Sequence, residues 1–425
     1  MLRCGVRVLL INNHCLHDPT AGVTQSLRTI AQWLTDAGHG CDVVTTARVE
    51  APGAFDVGAF LRGQGVEAGT PAGRGPERRP AVATYRIGEV GVSLLMTRHH
   101  DEAHPDDAEA AHYIDLVEQR AAALRPDLVL ACNAHPMIGQ CLRRLHGRGL
   151  VTSFTLRSYG YEDRRFFTHV DHVLTCSDFL SAAYRRRIGL ISTAIEPPID
   201  WSTVVAPEDD RAFLTFVNPS PHKGLYLFAR LAAMLGARRP DIPILIVQSG
   251  ASAGVLHGLA GFDFSQYPQI MAAPPVATPA EYFALTRLLL VPSVWEEPFG
   301  RVAAEAMING VPALVADRGA LPDVIGGDAV DGGGGRVLPV PAWMAVDTTT
   351  VPSEAEIAPW FEAVCAIWDD ASLYRRIAGR ARSLGETRYS EARSRARHVD
   401  YFTSLVAGGR PAAGQRPFDD PVSEG

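Results

Sequence analysis

Residues 288–316, LLLVPSVWEEPFGRVAAEAMINGVPALVA, contain the pattern that decides the fold of this chain. An apolar, strand-like run covers 288–292, a helical pattern covers 301–309, and a second apolar run covers 313–316. A strand, a helix and a second strand in this order form a βαβ unit, whose two strands are parallel. The stretch therefore predicts part of a parallel α/β sheet.

The same alternation continues in both directions along the chain. The other predicted strands cover 6–11, 41–45, 128–132, 151–155, 172–176, 213–218 and 244–248. The other predicted helices cover 24–37, 115–124, 179–187, 224–235 and 279–286, with further helices between 354 and 407. Each half of the chain therefore has the pattern of a doubly wound, Rossmann-like domain.

The length and the prolines predict where the two domains meet. A chain of 425 residues is too long for one ordinary core and suits two domains. Two adjacent prolines in 195–200 forbid a helix and mark an extended crossing. The predicted domains cover 1–196 and 197–385. A C-terminal helix over 386–408 is predicted to cross back to the first domain, and 409–425 is predicted to be a disordered tail.

A weak zone and several exclusions complete this outline. The Gly-, Pro- and Ala-rich segment 49–80 predicts a helix followed by a mobile loop. A net charge of −7 argues against nucleic acid or anionic lipid as a partner. Seven cysteines without CxxC spacing indicate reduced thiols, and the apolar run 6–11 is too short for a signal peptide or a membrane span. We expect a cytoplasmic enzyme without stable membrane insertion; the oligomeric state stays open.

The helix in the quoted stretch predicts an anion site at its beginning. Gly300 precedes this helix, so its first backbone N–H groups face outward, and helix N-termini attract anions. Glu297 lies just before the helix and Glu305 lies one turn inside it. These carboxylates suit sugar and ribose hydroxyl groups better than a metal. An acidic first turn that only stabilises the helix dipole is the open alternative.

The one lysine of the chain lies in a second strand-to-helix loop. The other 39 basic residues are all arginines, and Lys223 is followed by Gly224 at the predicted start of a helix. A lysine at such a position supplies a compact charge to a phosphate group. The alternative is an ordinary solvated loop lysine, which the exceptional use of lysine at this one position disfavours.

These motifs together resemble a known family. Glu297 and Glu305, with seven residues between them and Pro-Phe-Gly after the first, are similar to the Glu-x7-Glu signature of retaining GT-B glycosyltransferases of family 4. A glycine loop at Gly22, a strand followed by His135, the lysine loop and the segment 318–323 occur in the family's order. The resemblance implies two facing Rossmann-like domains with a cleft between them. The first would bind the acceptor and the second a nucleotide-sugar donor.

The resemblance also implies roles for individual residues of the second domain. Glu297 would hold hydroxyl groups of the donor sugar, and Glu305 would hold the ribose diol. The backbone of Phe299, Gly300 and Arg301 would contact the sugar and the diphosphate. With Lys223 on the phosphate, this machinery needs no metal and no cofactor beyond the nucleotide-diphosphate sugar as co-substrate.

Two departures from the family pattern concern the diphosphate. The family commonly has an arginine five residues before the lysine, where this chain has Asn218, and Arg301 is expected to compensate. Gly22 would let the backbone approach the donor phosphate, but the second glycine often beside it is Ala21 here. His135 would face the donor sugar, and a purely structural histidine is its alternative.

Residues of the first domain would contact the acceptor. His17, in the loop before the glycine, and Arg157, after a predicted strand, are the candidates, and solvated charged loops are the alternative. A small soluble acceptor fits the absence of a basic amphipathic helix better than a lipid does. The donor base, the donor sugar and the acceptor's identity are beyond the sequence.

The resemblance implies retention by front-face attack, in which the leaving phosphate helps to take the acceptor proton. Glu297 is then no nucleophile. Two other functions stay open: a non-hydrolysing nucleotide-sugar epimerase, which needs no acceptor, and a catalytically silent sugar-nucleotide-binding partner of another transferase.

Overall fold

The fold consists of two compact units. The computed structural model describes residues 5–18, 21–49, 55–69, 79–97, 105–133, 135–208, 211–249, 251–258, 266–328, 330, 332–410 and 417–418. The first unit comprises 1–198 and 394–425, and the second comprises 199–393. The chain thus passes between the units next to the two prolines at 197 and 198 and again within the first turn of the last helix.

The first unit is built on an eight-stranded sheet. Its strands are β1 (Arg7–Ile11), β2 (Gly40–Thr46), β3 (Val82–Ile87), β4 (Val90–Leu95), β5 (Leu128–Cys132), β6 (Val151–Leu156), β7 (His172–Thr175) and β8 (Thr193–Ala194). The order is β3-β4-β2-β1-β5-β6-β7-β8, and every neighbouring pair is parallel except β3 and β4. This sheet confirms the predicted Rossmann-like class for the first half of the chain.

Helices join the strands of this sheet. They are α1 (Gly22–Asp36), α2 (Val57–Gly63), α3 (Asp107–Leu124), α4 (Pro136–Gly147) and α5 (Asp178–Ile188). The helix predicted for 115–124 begins earlier, because Asp106 and Glu109 form a capping box at its start. The β3–β4 hairpin and α4 were not predicted. In the weak zone 49–80, α2 is the expected helix, and most of the predicted loop lies outside the described residues.

The second unit contains a six-stranded parallel sheet. Its elements are α6 (Trp201–Val204), β9 (Phe213–Val217), α7 (Leu225–Arg238), β10 (Ile244–Val247), β11 (Ile270–Ala273), α8 (Pro279–Phe283), β12 (Thr286–Val291), α9 (Arg301–Ile308), β13 (Ala313–Ala316), α10 (Leu321–Val324), β14 (Gly335–Leu338), α11 (Glu354–Asp369) and α12 (Ala371–Thr387). The strand order is β11-β10-β9-β12-β13-β14, and all pairs are parallel. The quoted stretch is the β12–α9–β13 unit, as predicted.

One predicted boundary in this unit is wrong. The helix expected over 279–286 ends at Phe283, and Thr286 already belongs to β12. Its hydroxyl donates to Thr215 Oγ1 at 2.8 Å on the neighbouring strand and lies 2.7 Å from the carbonyl of Tyr282. A β-branched residue with partners across the sheet favours the strand over the helix.

The last helix, α13 (Glu391–Gly408), packs into the first unit's core. Phe402 is fully buried there together with Leu27 and Leu34 of α1. The predicted disordered tail needs a correction at Phe418, which is 6% exposed. Its ring meets that of Phe167 edge-on, with centroids 6.0 Å apart, because an apolar ring gains by burial even near a chain end. Most of the tail lies outside the described residues.

Two general features concern the described part of the chain. No helix in it is long and apolar enough to cross a membrane. The six cysteines described are free thiols, and five of them are buried.

Candidate functional site

Two loops of the second unit meet at the carboxyl ends of neighbouring strands. The first follows β9 and contains Lys223, and the second follows β12 and leads into α9. Gly224 has a φ of 88°, and a Cβ there would lie 2.0 Å from the carbonyl oxygen of Pro292. Only glycine allows this approach. The backbone N–H of Val294 also donates to the carbonyl of His222 at 3.1 Å, so the two loops are held together.

This contact pairs the predicted lysine with the predicted carboxylate. Lys223 Nζ donates to Glu297 Oε1 at 2.6 Å. Ser293 Oγ donates to the same oxygen, also at 2.6 Å, and Glu297 is only 4% exposed. An unpaired carboxylate would be costly at this depth, so the lysine and the serine stabilise its ionised form. The lysine side chain is 32% exposed and is therefore partly accessible from solvent.

An aromatic residue adjoins the ion pair. The ring centroid of Trp295 lies 5.4 Å from Lys223 Nζ, within the range of a cation–π interaction. The ring of His222 also lies near that of Trp295, with the two centroids 6.1 Å apart. Our sequence analysis missed Ser293 and Trp295, although both lie within the quoted stretch. Ser293 lies four residues and Trp295 two residues before Glu297, and this closeness in the sequence was the signal that could have identified them.

The beginning of α9 lies directly after this pair. Gly300 precedes the helix with a φ of 95°, and glycine has no side chain that can cap the first N–H groups. The first turn contains no acidic residue. This excludes the alternative interpretation of the motif as an acidic first turn that balances the dipole. The start of α9 therefore has the partial positive charge of an uncapped helix N-terminus.

The second carboxylate of the motif has its own partners. Glu305 is 3% exposed; its Oε1 accepts from Arg301 Nε at 2.8 Å and its Oε2 accepts from Tyr282 Oη at 3.4 Å. Burial raises the pKa of Glu305, and Arg301 opposes this shift. Arg301 thus lies beside Glu305, four residues along the same helix, and Tyr282 is a partner that our sequence analysis missed.

The two remaining donor-side candidates contribute in different ways. Asn218 has a φ of 62°, which asparagine tolerates better than most residues, and its N–H donates to the carbonyl of Val247 at 3.0 Å. Its Oδ1 is buried without a hydrogen-bond partner among the described residues. Phe299 is 5% exposed and meets the ring of Tyr389 edge-on. Its side chain is structural, so only its backbone is available to a ligand.

In the first unit, two candidates lie at helix starts. His135 precedes α4, and its Nδ1 accepts from the backbone N–H of Met137 at 3.3 Å. This half-buried histidine therefore has a structural capping role. Gly22 is the exposed first residue of α1, and Ala21 before it is fully buried.

A polar cluster lies past the carboxyl ends of β1, β2 and β5. The ring of His14 contacts Asn133 through Nδ1, at 2.7 Å from Nδ2, and Arg48 through Nε2. Asn133 has a φ of 80°. Ligands of open α/β sheets bind beyond this edge, so the cluster is a candidate binding surface of the first unit. Our sequence analysis missed Arg48 and Asn133.

The two acceptor-side candidates have partners within the first unit. His17 Nε2 lies 2.9 Å from Tyr85 Oη, and its ring lies 4.1 Å from that of Phe60 between centroids. Burial lowers the pKa of His17 to about 4, so its ring is neutral at pH 7. Arg157 donates to Ser26 Oγ at 3.1 Å. Both are therefore held by neighbouring side chains and are not solvated loop residues.

A known protein family matches the part of the second unit that contains the donor-side candidates. Residues 202–345, which include Lys223, Glu297 and Glu305, match the family described as Glycosyl transferases group 1. The matched segment lies within the second unit.

One curated protein resembles part of this chain. A D-inositol 3-phosphate glycosyltransferase from Arthrobacter sp. (strain FB24) is 29% identical over 193 residues, which are 43% of this chain and 40% of that protein. The chain therefore spans less than half the length of this curated relative.

Solved structures resemble nearly the whole chain. A glycosyltransferase from Rickettsia africae has a TM-score of 0.66 at 11% identity, covering 95% of this chain and 99% of that one. Anabaena HepE in complex with UDP and glucose has 0.65 at 15% identity, covering 94% and 100%. The catalytic domain of starch synthase IV from Arabidopsis thaliana, bound to ADP and acarbose, has 0.65 at 12% identity, covering 95% of this chain and 100% of that one. These likenesses confirm the predicted GT-B fold class with its two Rossmann-like domains.

Proposed function

We propose that this protein is a glycosyltransferase that moves a sugar from a nucleotide-diphosphate donor to a small soluble acceptor, with retention and without a metal. The observation that carries this proposal is the Lys223–Glu297 pair at the uncapped start of α9. It combines a cation, a carboxylate and a helix N-terminus past the carboxyl ends of two neighbouring strands. A sugar diphosphate needs these three features.

Lys223 would contact the diphosphate of the donor, and Glu297 would contact its sugar. The leaving diphosphate gains negative charge as the glycosidic bond breaks, and fixed positive groups stabilise that charge. Lys223 and the first N–H groups of α9 supply this positive potential. When phosphate oxygens replace Glu297 as acceptors of the Lys223 ammonium group, Glu297 becomes available to accept hydrogen bonds from sugar hydroxyls. Ser293 continues to hold its Oε1.

The same groups support metal independence and retention as parts of the proposal. Positive potential from Lys223 and α9 does the work that a divalent cation does elsewhere. Glu297 is assigned to the sugar hydroxyls, with Ser293 still donating to its Oε1, and is not the proposed nucleophile. Front-face attack assisted by the leaving phosphate is therefore the proposed route, and Glu305 with Arg301 is the proposed contact for the ribose.

The relatives indicate which ligands to test first. HepE was solved with UDP and glucose, starch synthase IV with ADP and acarbose, and the Arthrobacter relative is named for D-inositol 3-phosphate. We infer a hexose donor carried on UDP or ADP and a polyol or sugar acceptor. Arg48 and His14 on the first unit would suit an acceptor that carries a phosphate.

The test uses two neighbouring glutamates as a matched pair. UDP- and ADP-hexoses are incubated with glucose, inositol and inositol phosphate, and products are measured by mass spectrometry. We expect transfer by the wild type and by Glu296→Gln, whose residue is exposed, and a loss of at least about tenfold with Glu297→Gln. Conversion of the donor sugar without any acceptor would instead identify an epimerase. Donor binding without turnover across the panel would identify a silent binding partner.

A further inference from the structure

A second charged cavity lies in the second unit, away from the Lys223–Glu297 pair. It has a volume of about 440 Å³. The polar and charged residues in its lining are Glu208, Arg211, Arg287, Tyr374, Arg375 and Arg382. We call this set the arginine cavity.

The sheet places the arginine cavity at the opposite edge from the candidate donor site. Arg211 lies just before β9, and Arg287 is the second residue of β12, so both lie at the amino ends of these strands. Lys223 and Glu297 follow the carboxyl ends of the same two parallel strands. A ligand of the arginine cavity would therefore not be a part of the donor bound at the other edge.

One face of α12 completes the cavity. Arg375 and Arg382 are seven residues apart, which brings them to the same side of the helix, and Tyr374 lies on the adjoining side. Ala371, Ala378 and Gly379 also contribute to the lining, and their small size leaves the space open.

A local irregularity of β12 aims an arginine at this cavity. The pairing of β12 with β9 shifts register between Thr286 and Leu288, so Arg287 lies in a bulge. Bulges turn a side chain away from its regular direction and are frequent beside functional sites. The guanidinium of Arg287 lies over the rings of Trp368 and Tyr374, 4.7 and 5.0 Å from their centroids, and donates to the carbonyl of Trp368 at 3.1 Å.

Among the lining residues that the structure describes, positive charge exceeds negative charge. Four arginines stand against Glu208, which is paired with Arg382. Arg211 donates to the backbone carbonyls of Asn309 and Ala206, which are neutral. The Nε atoms of Arg211 and Arg287 are buried without acceptors among the described residues. Burial also lowers the pKa of Arg211, so an anion in the cavity would relieve an existing electrostatic cost.

We propose that the arginine cavity binds a small phosphate-bearing anion, in addition to the donor at the other edge of the sheet. Its volume lies within the range of small-molecule sites, and a concave site of this size suits a metabolite better than a flat macromolecular surface. Guanidinium groups bind phosphate oxygens through paired hydrogen bonds. The overall charge of −7 makes this local excess of arginine specific to the site and not a property of the whole surface.

The test compares two adjacent arginines of α12. Arg375 lines the cavity, whereas Arg376 does not and contacts Ser372 on the helix. Both are exposed, so Arg375→Glu and Arg376→Glu make the same change of charge on the same helix. Lys223→Gln serves as the background, because it weakens phosphate binding at the donor site and keeps a hydrogen-bond donor for Glu297. Circular dichroism checks that each variant is folded.

Calorimetric titrations at fixed ionic strength then use inorganic phosphate, pyrophosphate and glycerol 3-phosphate as probes. We expect saturable binding of at least one probe to Lys223→Gln, with the preferred probe showing whether the site takes free phosphate or a phosphate ester. Adding Arg375→Glu should weaken that binding at least about tenfold, and adding Arg376→Glu should change it less than about threefold.

Two results would overturn the proposal. One is the absence of saturable binding of all three probes to Lys223→Gln. The other is equal binding by the two glutamate variants. If Lys223→Gln does not fold, the same pair is compared in the wild-type background, where Arg375→Glu should remove one of two binding events. Neither result bears on donor binding at Lys223.

Discussion

Lys223 Nζ lies 2.6 Å from Glu297 Oε1, although 74 positions separate the two residues in the sequence. The contact exists because β9 and β12 are neighbours in the sheet and because Gly224 allows the loops after them to touch. A partly exposed cation is thus paired with a buried carboxylate. In the proposed function, phosphate oxygens of the donor replace the carboxylate, and both groups become available to the donor.

The two glutamates of the motif should affect different kinetic constants. Glu297 is proposed to contact the sugar that changes in the transition state, and Glu305 a ribose that does not change. We expect Glu297→Gln to lower kcat at least about tenfold and Glu305→Gln mainly to raise the donor KM. Steady-state kinetics with varied donor measure both. Parallel changes of both constants in both variants would contradict these roles.

Arginine should not replace the lysine fully. Lys223→Arg keeps the charge near Glu297, but its planar head is wider than an ammonium group. We expect kcat/KM for the donor to fall about tenfold, and Lys223→Gln to cost more, because the charge is lost. Kinetics on the two variants, with matching thermal unfolding curves, measure this. Wild-type kcat/KM in Lys223→Gln would remove the lysine from the mechanism.

Chelation should leave turnover intact. The positive potential at the candidate site comes from Lys223 and the start of α9, neither of which needs a divalent ion. We expect the same initial rate before and after exhaustive treatment with EDTA. A lost rate that returns with Mg²⁺ or Mn²⁺ would show that the donor diphosphate is neutralised by a metal.

The first unit should lose stability in mild acid through buried histidines. His398 is 1% exposed, bonded through Nδ1 to the carbonyl of Ser394, and burial lowers its pKa to about 4. The unfolded chain protonates His398 more readily than the folded protein does. The stability that the neutral histidine contributes is therefore full above about pH 6.5 and is lost as the pH falls towards 4. The loss between pH 7 and pH 5 is about 2 kcal/mol for such a group.

Paired variants isolate this effect from other titrations. Urea unfolding at pH 7 and pH 5 should show a loss of stability that is smaller by about this amount in His398→Gln than in the wild type. His222→Gln, at an exposed position of the second unit, should keep the wild-type loss. An identical loss in all three proteins would mean that His398 takes up its proton without a cost.

Much of the fold was predictable because its signals are local. Short apolar runs that alternate with helical periodicity predicted both parallel sheets, and the Pro and Gly residues around α9 predicted its start. The predicted helix over 279–286 extended too far, because Thr286 begins β12 and hydrogen-bonds to Thr215 in β9. The β3–β4 hairpin was missed, since its pairing is antiparallel within an otherwise parallel pattern.

The candidate site was predictable only in part. The motif identified Glu297, Glu305 and Lys223, but the ion pair depends on strand order, which local patterns do not determine. Arg301 remains a predicted diphosphate contact, and its pairing with Glu305 was not predicted. Their spacing of four residues on one helix was a readable signal for that pair. The hydroxyl partner Tyr282 comes from another element and had no such signal.

The central claim is that a nucleoside diphosphate binds at Lys223. This lysine is the only one in the chain, so an amine-selective acylating reagent distinguishes it from the N-terminal amine by mass spectrometry. The N-terminal amine then serves as an internal reference in the unmodified wild-type sequence. UDP and ADP are compared at concentrations that saturate a thermal shift, because binding to the folded state raises its stability.

We expect the nucleotide that binds to slow acylation of Lys223 at least about tenfold relative to the N-terminal amine, and acylation without nucleotide to abolish subsequent nucleotide binding. Equal acylation of Lys223 with and without saturating nucleotide, or full modification with unchanged nucleotide affinity, would contradict the claim.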